Sequence, residues 1–400
     1  MLSFIYTENY KNLKFDGKVD LKNLNIFIGP NGSGKSNLIS YLKFLSEGSG
    51  GNKRDINSMN SPVETAISQL GRFSNLNLSL PCQVRFVYGF YSKYSRNEEE
   101  KRIVLDTKIS VDSRSPSFIE RESLYMGSDL AENKEPLLYC YYYTTPKIGA
   151  GIFYNRGTEE EFLESGEILN FLHGNPRRLR GSLYRNYHFY NSNEMNLQVI
   201  RNSEPKIGPD DVFLSTTGDN LALVVDNLSR DIDFEDALNL AIQSIFPKTR
   251  RIRSARVGRL SLTVEWFLEG NDEPFYLNEM SDGTVRMLCW AVILHSPNLP
   301  TLLVIDEPEL GLHPAWLSVL AQWIKKAAEK TQIILTTHSP DLLDKFTDSL
   351  EHVYCFYPTD ANHYGIKPLS PEVLKPQLEE GWELGDLYRV GDPTVGGWPW

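Results

Sequence analysis

The most informative segment of the chain reads Gly29-Pro30-Asn31-Gly32-Ser33-Gly34-Lys35-Ser36. It matches the pattern G-x-x-x-x-G-K-[S/T] at every fixed position. Residues 25–28, which read Asn-Ile-Phe-Ile, precede it as a predicted buried strand, and in residues 36–45 the apolar side chains recur at helical spacing. A buried strand, a glycine-rich turn and a helix in this order are the context of a phosphate-binding loop.

The residue types in this loop suit a bound triphosphate. Glycines let successive backbone N–H groups turn toward phosphate oxygens, and the start of the next helix adds positive partial charge. We expect Lys35 to neutralise the β- and γ-phosphates of ATP and Ser36 to bind Mg²⁺. A glycine-rich turn without a ligand is the alternative, which the flanking strand and helix disfavour. The predicted nucleotide-binding residues are Gly29, Asn31, Gly32, Ser33, Gly34, Lys35, Ser36 and Asn37.

A second motif places two acids at the end of an apolar segment. Residues 302–308 read Leu-Leu-Val-Ile-Asp-Glu-Pro, so Asp306 and Glu307 end a predicted buried strand. Desolvating two adjacent carboxylates is costly unless a cation or a water network is present. We predict that Asp306 holds Mg²⁺ through its water shell and that Glu307 orients and polarises an attacking water. Taken alone, the motif could also be an acidic turn at a strand end.

The same arrangement recurs one strand later, in residues 332–338, which read Gln-Ile-Ile-Leu-Thr-Thr-His. A histidine at that strand end can reach a γ-phosphate or an attacking water. We therefore predict that His338 is catalytic, together with Glu307 and Lys35. A surface histidine in a strand-to-helix turn is the alternative.

The spacing of these motifs predicts a mixed α/β chain. Continuous apolar strands that alternate with helices favour a mostly parallel core sheet covered on both faces. We expect an antiparallel N-terminal β subdomain and an inserted helical or irregular region beside this core. The predicted parts are an N-terminal half of the core with the phosphate loop (1–90), a partner-binding insertion (91–210), a C-terminal half of the core (211–345) and a C-terminal extension (346–400).

Composition excludes several classes of protein. The 400 residues are 41% hydrophobic and 23% charged, which is typical of a globular chain. No apolar run approaches 18 residues, so the sequence predicts no membrane partner. The four cysteines form no C-x-x-C pair, which fits a reducing, cytoplasmic location. A net charge of −11 opposes a whole-surface grip on nucleic acid but leaves room for a local basic patch.

Four segments together resemble the ABC-type head ATPases. They are the phosphate loop, Met280-Ser281-Asp282-Gly283-Thr284, residues 305–314 and residues 336–340. Within that group the chain is most similar to the RecF-like and overcoming-lysogenisation-defect-like branch, often described simply as AAA-family ATPases. The resemblance covers about residues 1–45 and 211–345 well and residues 90–210 poorly.

The resemblance implies a P-loop NTPase fold of ABC-head type and a homodimer that binds ATP and Mg²⁺ between its two heads. Ser281 and Gly283 match the signature motif, which in the family binds the γ-phosphate of ATP held by the opposite subunit. Residues 310–313 match the connecting loop at that interface, and His338 matches the switch histidine. The family's γ-phosphate-sensing glutamine is left open between Gln69 and Gln83.

The implied role is that of a Mg²⁺-dependent ATPase whose head dimerisation switches a separate effector, a nuclease or toxin, in prokaryotic antiviral defence. Only 62 residues (339–400) follow His338, fewer than the roughly 100 that a fused Toprim nuclease domain needs. The alternative is a RecF-like DNA-binding ATPase in DNA repair or maintenance.

Three segments leave a partner open. A basic run, a mixed basic and aromatic run, and an aromatic tail could each contact nucleic acid or protein, or could simply be surface or packed structure. Their residues are Lys248, Arg250, Arg251, Arg253, Arg256 and Arg259; Arg177, Arg178, Arg180, Tyr184, Arg185, Tyr187, Phe189 and Tyr190; and Trp398 and Trp400.

Overall fold

The computed structural model describes residues 1–47, 82–91, 102–111, 118–126, 137–142, 151–153 and 186–396. These residues form a seven-stranded antiparallel sheet, a six-stranded mostly parallel sheet and a three-stranded antiparallel sheet. Helices cover the parallel sheet on both faces, which is the mixed α/β arrangement predicted from the sequence.

The six-stranded core sheet has the order β16-β15-β3-β14-β13-β9. All of its pairings are parallel except that of β15 with β16. Its three central strands are almost entirely buried, because helices pack on both faces of the sheet. The strands are β3 (Leu24–Ile28), β9 (Tyr187–Asn191), β13 (Leu302–Asp306), β14 (Gln332–Thr336), β15 (Val353–Pro358) and β16 (Tyr364–Pro368).

The register of this sheet brings its chemically interesting residues to one edge. Asp306 pairs with Thr336 on one side and with Asn191 on the other, and Thr336 pairs with Phe27 near the end of β3. Because the carboxyl ends of parallel strands meet at one edge, the segments that follow these four strands lie side by side.

The antiparallel sheet has the order β2-β1-β4-β5-β6-β7-β8. The predicted antiparallel N-terminal subdomain is therefore confirmed, and strands from the poorly patterned part of the sequence extend it. The strands are β1 (Leu2–Glu8), β2 (Val19–Asp20), β4 (Cys82–Tyr91), β5 (Arg102–Val111), β6 (Phe118–Met126), β7 (Leu137–Tyr142) and β8 (Gly151–Phe153).

The first helix, α1 (Lys35–Glu47), packs between the core sheet and the antiparallel sheet. Tyr41 stacks on Tyr88 with ring centroids 4.6 Å apart, and its hydroxyl donates to the carbonyl of Val87 at 2.7 Å. Residues 84–90 of β4 are all buried. The polar member Arg85 is accommodated because Asp106 of the next strand pairs with it at 2.8 Å.

The other face of the core sheet carries the larger hydrophobic cluster, with Trp266 and Trp290 fully buried in it. A three-stranded sheet joins the helices there, formed by β10 (Thr249–Val257), β11 (Ser261–Leu268) and β12 (Phe275–Tyr276). The remaining α-helices of the described residues are α2 (Leu197–Asn202), α3 (Leu221–Leu228), α4 (Ile232–Ile245), α5 (Asp282–His295), α6 (Pro314–Ala328), α7 (Pro340–Leu343), α8 (Pro371–Glu379) and α9 (Leu384–Arg389), and 3₁₀ helices cover Leu277–Glu279, Asp344–His352 and Pro393–Val395. None of them is long and apolar enough to span a bilayer.

One strand within the predicted insertion belongs to the core sheet. Residues 91–210 were expected to lie outside the core, yet β9 (Tyr187–Asn191) is the edge strand of the core sheet and pairs along β13. Tyr187 and Tyr190 are buried, so these two rings pack inside the protein, whereas Phe189 is half-buried. The arginines and the tyrosine at 177–185, and the two tail tryptophans, lie outside the described residues.

One buried side chain ties the two large sheets together. Gln332, at the start of β14 and 2% exposed, accepts from the backbone N–H of Leu2 at 2.8 Å. Its amide donates to the carbonyls of Leu2 at 2.8 Å and Lys22 at 2.9 Å. Gln332 thus satisfies three backbone groups across the junction.

We predict that Gln332→Ala lowers the free energy of unfolding by about 2 kcal/mol, because the substitution removes the side-chain partner of the buried Leu2 N–H and Leu2 carbonyl, whereas the Lys22 carbonyl keeps its hydrogen bond from Asn25 Nδ2. Equilibrium urea unfolding followed by circular dichroism measures this loss. Gln198→Ala, on the exposed face of α2, is the matched control and should change stability little. Equal stability of the two variants would contradict the assignment of Gln332 as a junction.

Candidate active site

The loop at residues 29–36 joins the end of β3 to the start of α1 and turns at two glycines with positive φ, Gly32 at 81° and Gly34 at 110°. A Cβ atom at Gly34 would lie 2.6 Å from the Leu13 side chain, and one at Gly29 would lie 2.8 Å from Ser33 Oγ. Glycine is therefore required both for backbone conformation and for close packing.

The loop is braced by a residue that the sequence pattern did not reveal. Asn12 donates from Nδ2 to the carbonyl of Gly32 at 2.8 Å and accepts from Asn37 Nδ2 at 2.7 Å. It thereby links the loop tip to the first turn of α1. Asn37, predicted as a nucleotide ligand, holds this brace.

The loop also contains an unsatisfied group of the kind that a phosphate would satisfy. Ser33 Oγ is shielded from solvent and has no hydrogen-bond partner among the described residues, whereas Asn31 and Gly32 are exposed. Buried hydroxyls without partners are rare in folded proteins. The loop therefore has a donor available to a bound phosphate oxygen.

Lys35 is 7% exposed and points back into the loop. Its Nζ donates to the carbonyls of Gly29 at 2.6 Å and Pro30 at 3.1 Å. Burial lowers the pKa of Lys35, while the nearby carboxylates of Glu307, Asp306 and Glu309 act in the opposite direction. An ammonium has three protons, so Lys35 retains one for an anionic ligand.

The carboxylate of Asp306 is held from both neighbouring strands. Asn191 donates from Nδ2 to Oδ2 at 2.5 Å, and the Thr336 hydroxyl donates to Oδ1. Neither partner was identified from the sequence. Of the two candidates for the γ-phosphate-sensing glutamine, Gln83 lies on β4 and Gln69 lies outside the described residues. The side-chain amide that contacts Asp306 is that of Asn191.

A cavity of about 300 Å³ lies between α1 and the ends of β9 and β13. Ser36, Asn191 and Asp306 line it, together with Lys43 and Glu194. The structure thus brings the two predicted metal ligands, Ser36 and Asp306, to one space. Mg²⁺ prefers a few hard oxygen ligands and keeps several waters, so this donor set fits Mg²⁺.

Glu307 and His338 are in direct contact, with Glu307 Oε1 2.9 Å from His338 Nε2. Burial lowers the pKa of His338; Glu307 opposes this shift and Lys35 adds to it. Glu307 has a φ of 49°, in the left-handed region, and its N–H donates to the Thr336 carbonyl at 3.0 Å. Such strained backbone at a non-glycine residue clusters at functional sites.

Glu309, in the segment after β13, forms hydrogen bonds to the segment after β14 that contains His338. Its Oε1 accepts from the Thr337 hydroxyl at 2.6 Å and from the backbone N–H of His338 at 3.2 Å. Burial raises the pKa of Glu309. Its Oε2 is shielded and has no partner among the described residues, as is also true of His338 Nδ1. The sequence motif did not distinguish Glu309 from a surface acid.

The predicted signature residues lie in a different place. Ser281 caps α5 and is exposed, and its hydroxyl accepts from the N–H of Thr284 at 3.3 Å. A Cβ atom at Gly283 would lie 3.1 Å from the Gly311 carbonyl oxygen, within the predicted connecting loop. Among the residues that the structure covers, no hydrogen bond or ion pair joins Ser281 or Gly283 to the phosphate loop.

Arg286 connects helix α5 to the segment that follows β9. It donates from Nη1 to the carbonyl of Ser192, the residue after Asn191. A Cβ atom at Gly311 would lie 3.1 Å from its Nε, so the guanidinium also packs on the connecting loop. Helix α5 is thus linked both to the Asn191 corner and to residues 310–313.

Comparison with known proteins gives two family matches. The model described as "AAA domain, putative AbiEii toxin, Type IV TA system" matches residues 148–344, and the model described as "AAA ATPase domain" matches residues 1–174. AAA ATPase-type sequence is therefore present in both halves of the chain. No curated protein matches the chain.

Solved structures with a similar fold are heads of SMC proteins. The crystal structure of the SmcHead bound to the C-winged helix domain of ScpA is 14% identical, covers 93% of this chain and 99% of its own, and has a TM-score of 0.55. The SMC head domain from Thermotoga maritima is 15% identical, covers 92% and 99% respectively, and has a TM-score of 0.46. The first of these shows that the chain has the ABC-type ATPase head fold.

The clamp on Asp306 generates a prediction. Asn191→Ala should raise the Mg²⁺ concentration needed for half-maximal nucleotide binding about tenfold, because side chains that hydrogen-bond to a metal ligand have effects of that size. Titration of a fluorescent ATP analogue at several Mg²⁺ concentrations measures the shift. The exposed neighbour variant Asn193→Ala should behave as wild type. An unchanged Mg²⁺ dependence in Asn191→Ala would show that the amide does not orient Asp306.

Proposed function

We propose that the protein is a Mg²⁺-dependent ATP hydrolase of ABC-head type that works as a switch. The observation that supports this most directly is the contact of Glu307 with His338 at 2.9 Å, beside Asp306 and the buried Lys35. A base, its partner, a metal-binding carboxylate and a phosphate-binding ammonium at one sheet edge fit phosphoryl transfer to water.

In this proposal the loop amides, Ser33 and Lys35 bind the triphosphate, and Lys35 exchanges the loop carbonyls for phosphate oxygens. Ser36 and Asp306 would hold Mg²⁺, which when bound neutralises charge on the β- and γ-phosphates. Glu307 accepts a proton from water as the water oxygen bonds to the γ-phosphorus. The bond from that phosphorus to the β–γ bridging oxygen breaks, which gives ADP and inorganic phosphate. His338 keeps Glu307 in position.

We further infer that two copies act together, with ATP bound between them. Ser281 is exposed, and within the described residues it has no hydrogen bond to the loop at 29–36. The start of a helix such as α5 offers backbone N–H groups to an anion. Ser281 and Gly283 would therefore complete the γ-phosphate site of the second copy, and the cycle would open and close the dimer.

The switch would act on a separate effector, a nuclease or a toxin, in prokaryotic antiviral defence. The resemblance to the overcoming-lysogenisation-defect-like branch motivates this role. The description of the family that matches residues 148–344, a putative toxin of a type IV TA system, also supports it. The SMC head that resembles this chain is bound to a domain of another protein, and a head that binds a partner is what the proposal requires here.

The sandwich model predicts the behaviour of Glu307→Gln. This variant should keep ATP binding, lose hydrolysis by about 10²- to 10⁴-fold, and accumulate a closed dimer with ATP and Mg²⁺, because it lacks the base that resolves the complex. Phosphate release and sedimentation velocity measure the two effects. Lys35→Ala should bind no nucleotide and stay monomeric, and the exposed Glu329→Gln should behave as wild type. A monomeric Glu307→Gln variant with bound ATP would contradict the sandwich.

A RecF-like DNA-binding role is the alternative, and strand β10 favours it. Its basic run is exposed at the edge of the three-stranded sheet. Some of this charge is already neutralised, since Arg251 pairs with Glu235 at 2.6 Å and Arg253 with Glu265 at 2.8 Å.

This alternative predicts duplex DNA binding that weakens steeply with salt. Neutralising Arg250, Arg251 and Arg253 together should make the plot of log affinity against log salt concentration less steep. Each lost phosphate contact reduces the magnitude of its slope by about one. Fluorescence anisotropy at several salt concentrations measures it. Wild-type protein that binds no DNA at low salt would exclude this role.

A further inference from the structure

The C-terminal extension contacts the base of the phosphate loop. Tyr388, on α9 and 3% exposed, donates its hydroxyl proton to the carbonyl of Gly29 at 2.9 Å. The same carbonyl accepts from Lys35 Nζ at 2.6 Å. A carbonyl oxygen has two lone pairs, so the tyrosine and the lysine can occupy it together. Tyr388 is thus one hydrogen bond away from the ammonium proposed to bind phosphate.

Two further residues of the extension surround Gly29. A Cβ atom on Gly29 would lie 2.9 Å from Phe356 Cβ, so β15 closes one side. The chain returns at Gly396, where a Cβ atom would lie 3.9 Å from Gly29 Cα and 3.4 Å from the Phe356 carbonyl oxygen. The first peptide of the phosphate loop is therefore enclosed by residues that follow the last motif of the ATPase core.

The same extension is anchored to the helix that follows His338. The backbone N–H of Gly385 donates to Asp344 Oδ1 at 2.7 Å, and that of Leu384 donates to the Thr347 hydroxyl at 3.0 Å. Arg389 pairs with Asp341 of α7 at 2.9 Å. Helix α7 begins at Pro340, two residues after His338. Helix α9 therefore touches both the phosphate loop and the helix behind the switch histidine.

We propose that Tyr388 is a positioning residue for the phosphate loop, and that the docked segment 384–396 regulates nucleotide affinity. When docked, the segment holds the Gly29 peptide so that Lys35 and the following amides face the ligand. When a partner pulls the segment away, Gly29 loses this support and affinity falls. The inference rests on the proposed nucleotide site and adds a route by which a partner could control it.

Thermodynamic linkage makes the effect reciprocal. If the docked segment raises the affinity for nucleotide by some factor, nucleotide stabilises docking by the same factor. A residue that contributes only to general stability would not change nucleotide affinity and nucleotide-dependent docking by the same factor. The exposed Arg389 on α9 provides a site at which trypsin can report undocking.

The test uses the full chain and the Mg²⁺ complex of a non-hydrolysable ATP analogue. Tyr388→Phe should bind the analogue about three- to tenfold more weakly by calorimetry, the range expected for one buried hydrogen bond. In hydrolysis the variant should raise KM while kcat changes little. Tyr354→Phe is the matched control, since the Tyr354 hydroxyl also donates from a buried position, to the Asp20 carbonyl at 2.7 Å, away from the loop.

Trypsin should also cleave wild-type protein after Arg389 more slowly when the analogue is bound. In Tyr388→Phe, the ratio of the cleavage rates without and with the analogue should fall by the same factor as the affinity for the analogue. Equal affinity of Tyr388→Phe and Tyr354→Phe, or cleavage that the analogue does not slow, overturns the regulatory role while leaving the proposed function intact. Wild-type protein that binds no nucleotide overturns both. The cleavage assay on wild type keeps the proposal testable if Tyr388→Phe folds poorly.

Discussion

The arrangement of the site depends on one buried ammonium, that of Lys35. Removing this charge from water is costly, and the protein offsets the cost with two loop carbonyls and with three carboxylates at the end of β13. The carboxylates can be near only because the carboxyl end of β13 lies at the same sheet edge as the phosphate loop that follows β3. The parallel order of the core sheet is thus the condition for keeping Lys35 buried and charged.

Around this centre, each acidic group has a separate hydrogen-bonding environment. Asp306 is fixed by Asn191 and Thr336, whereas Glu307 contacts His338. Glu309 holds the backbone of the histidine segment. The three carboxylates are close in sequence, yet they have different partners because each leaves the strand end in a different direction, and the positive φ of Glu307 helps to separate them. This separation would let one motif supply the metal ligand and the base that we propose, beside the structural clamp of Glu309.

The site is also connected to distant parts of the chain. Helix α1, which starts at Lys35, packs its aromatic side chains on the antiparallel sheet. Movement of the phosphate loop would therefore be transmitted through α1 to that sheet. Arg286 links the signature helix to the segment after β9, and Tyr388 links α9 to Gly29. A nucleotide-dependent switch needs such contacts, because a ligand can shift a conformation only through interactions that differ between two states.

The sequence by itself indicated the phosphate loop, the strand-end acids, the histidine and a mostly parallel α/β core, because these depend on residue types at short, regular spacing; the ABC-head fold followed from the resemblance of four motifs to a known group. It placed β9 in the insertion, since a five-residue strand with mixed polarity has no distinctive pattern. Only the tertiary structure revealed the roles of Asn12, Asn191, Glu309 and Tyr388. Three of these side chains act on groups 20, 115 and 359 residues away. Glu309 acts on the next strand end. Such contacts depend on how the sheets and helices pack, and therefore they cannot be predicted from the local spacing of residue types.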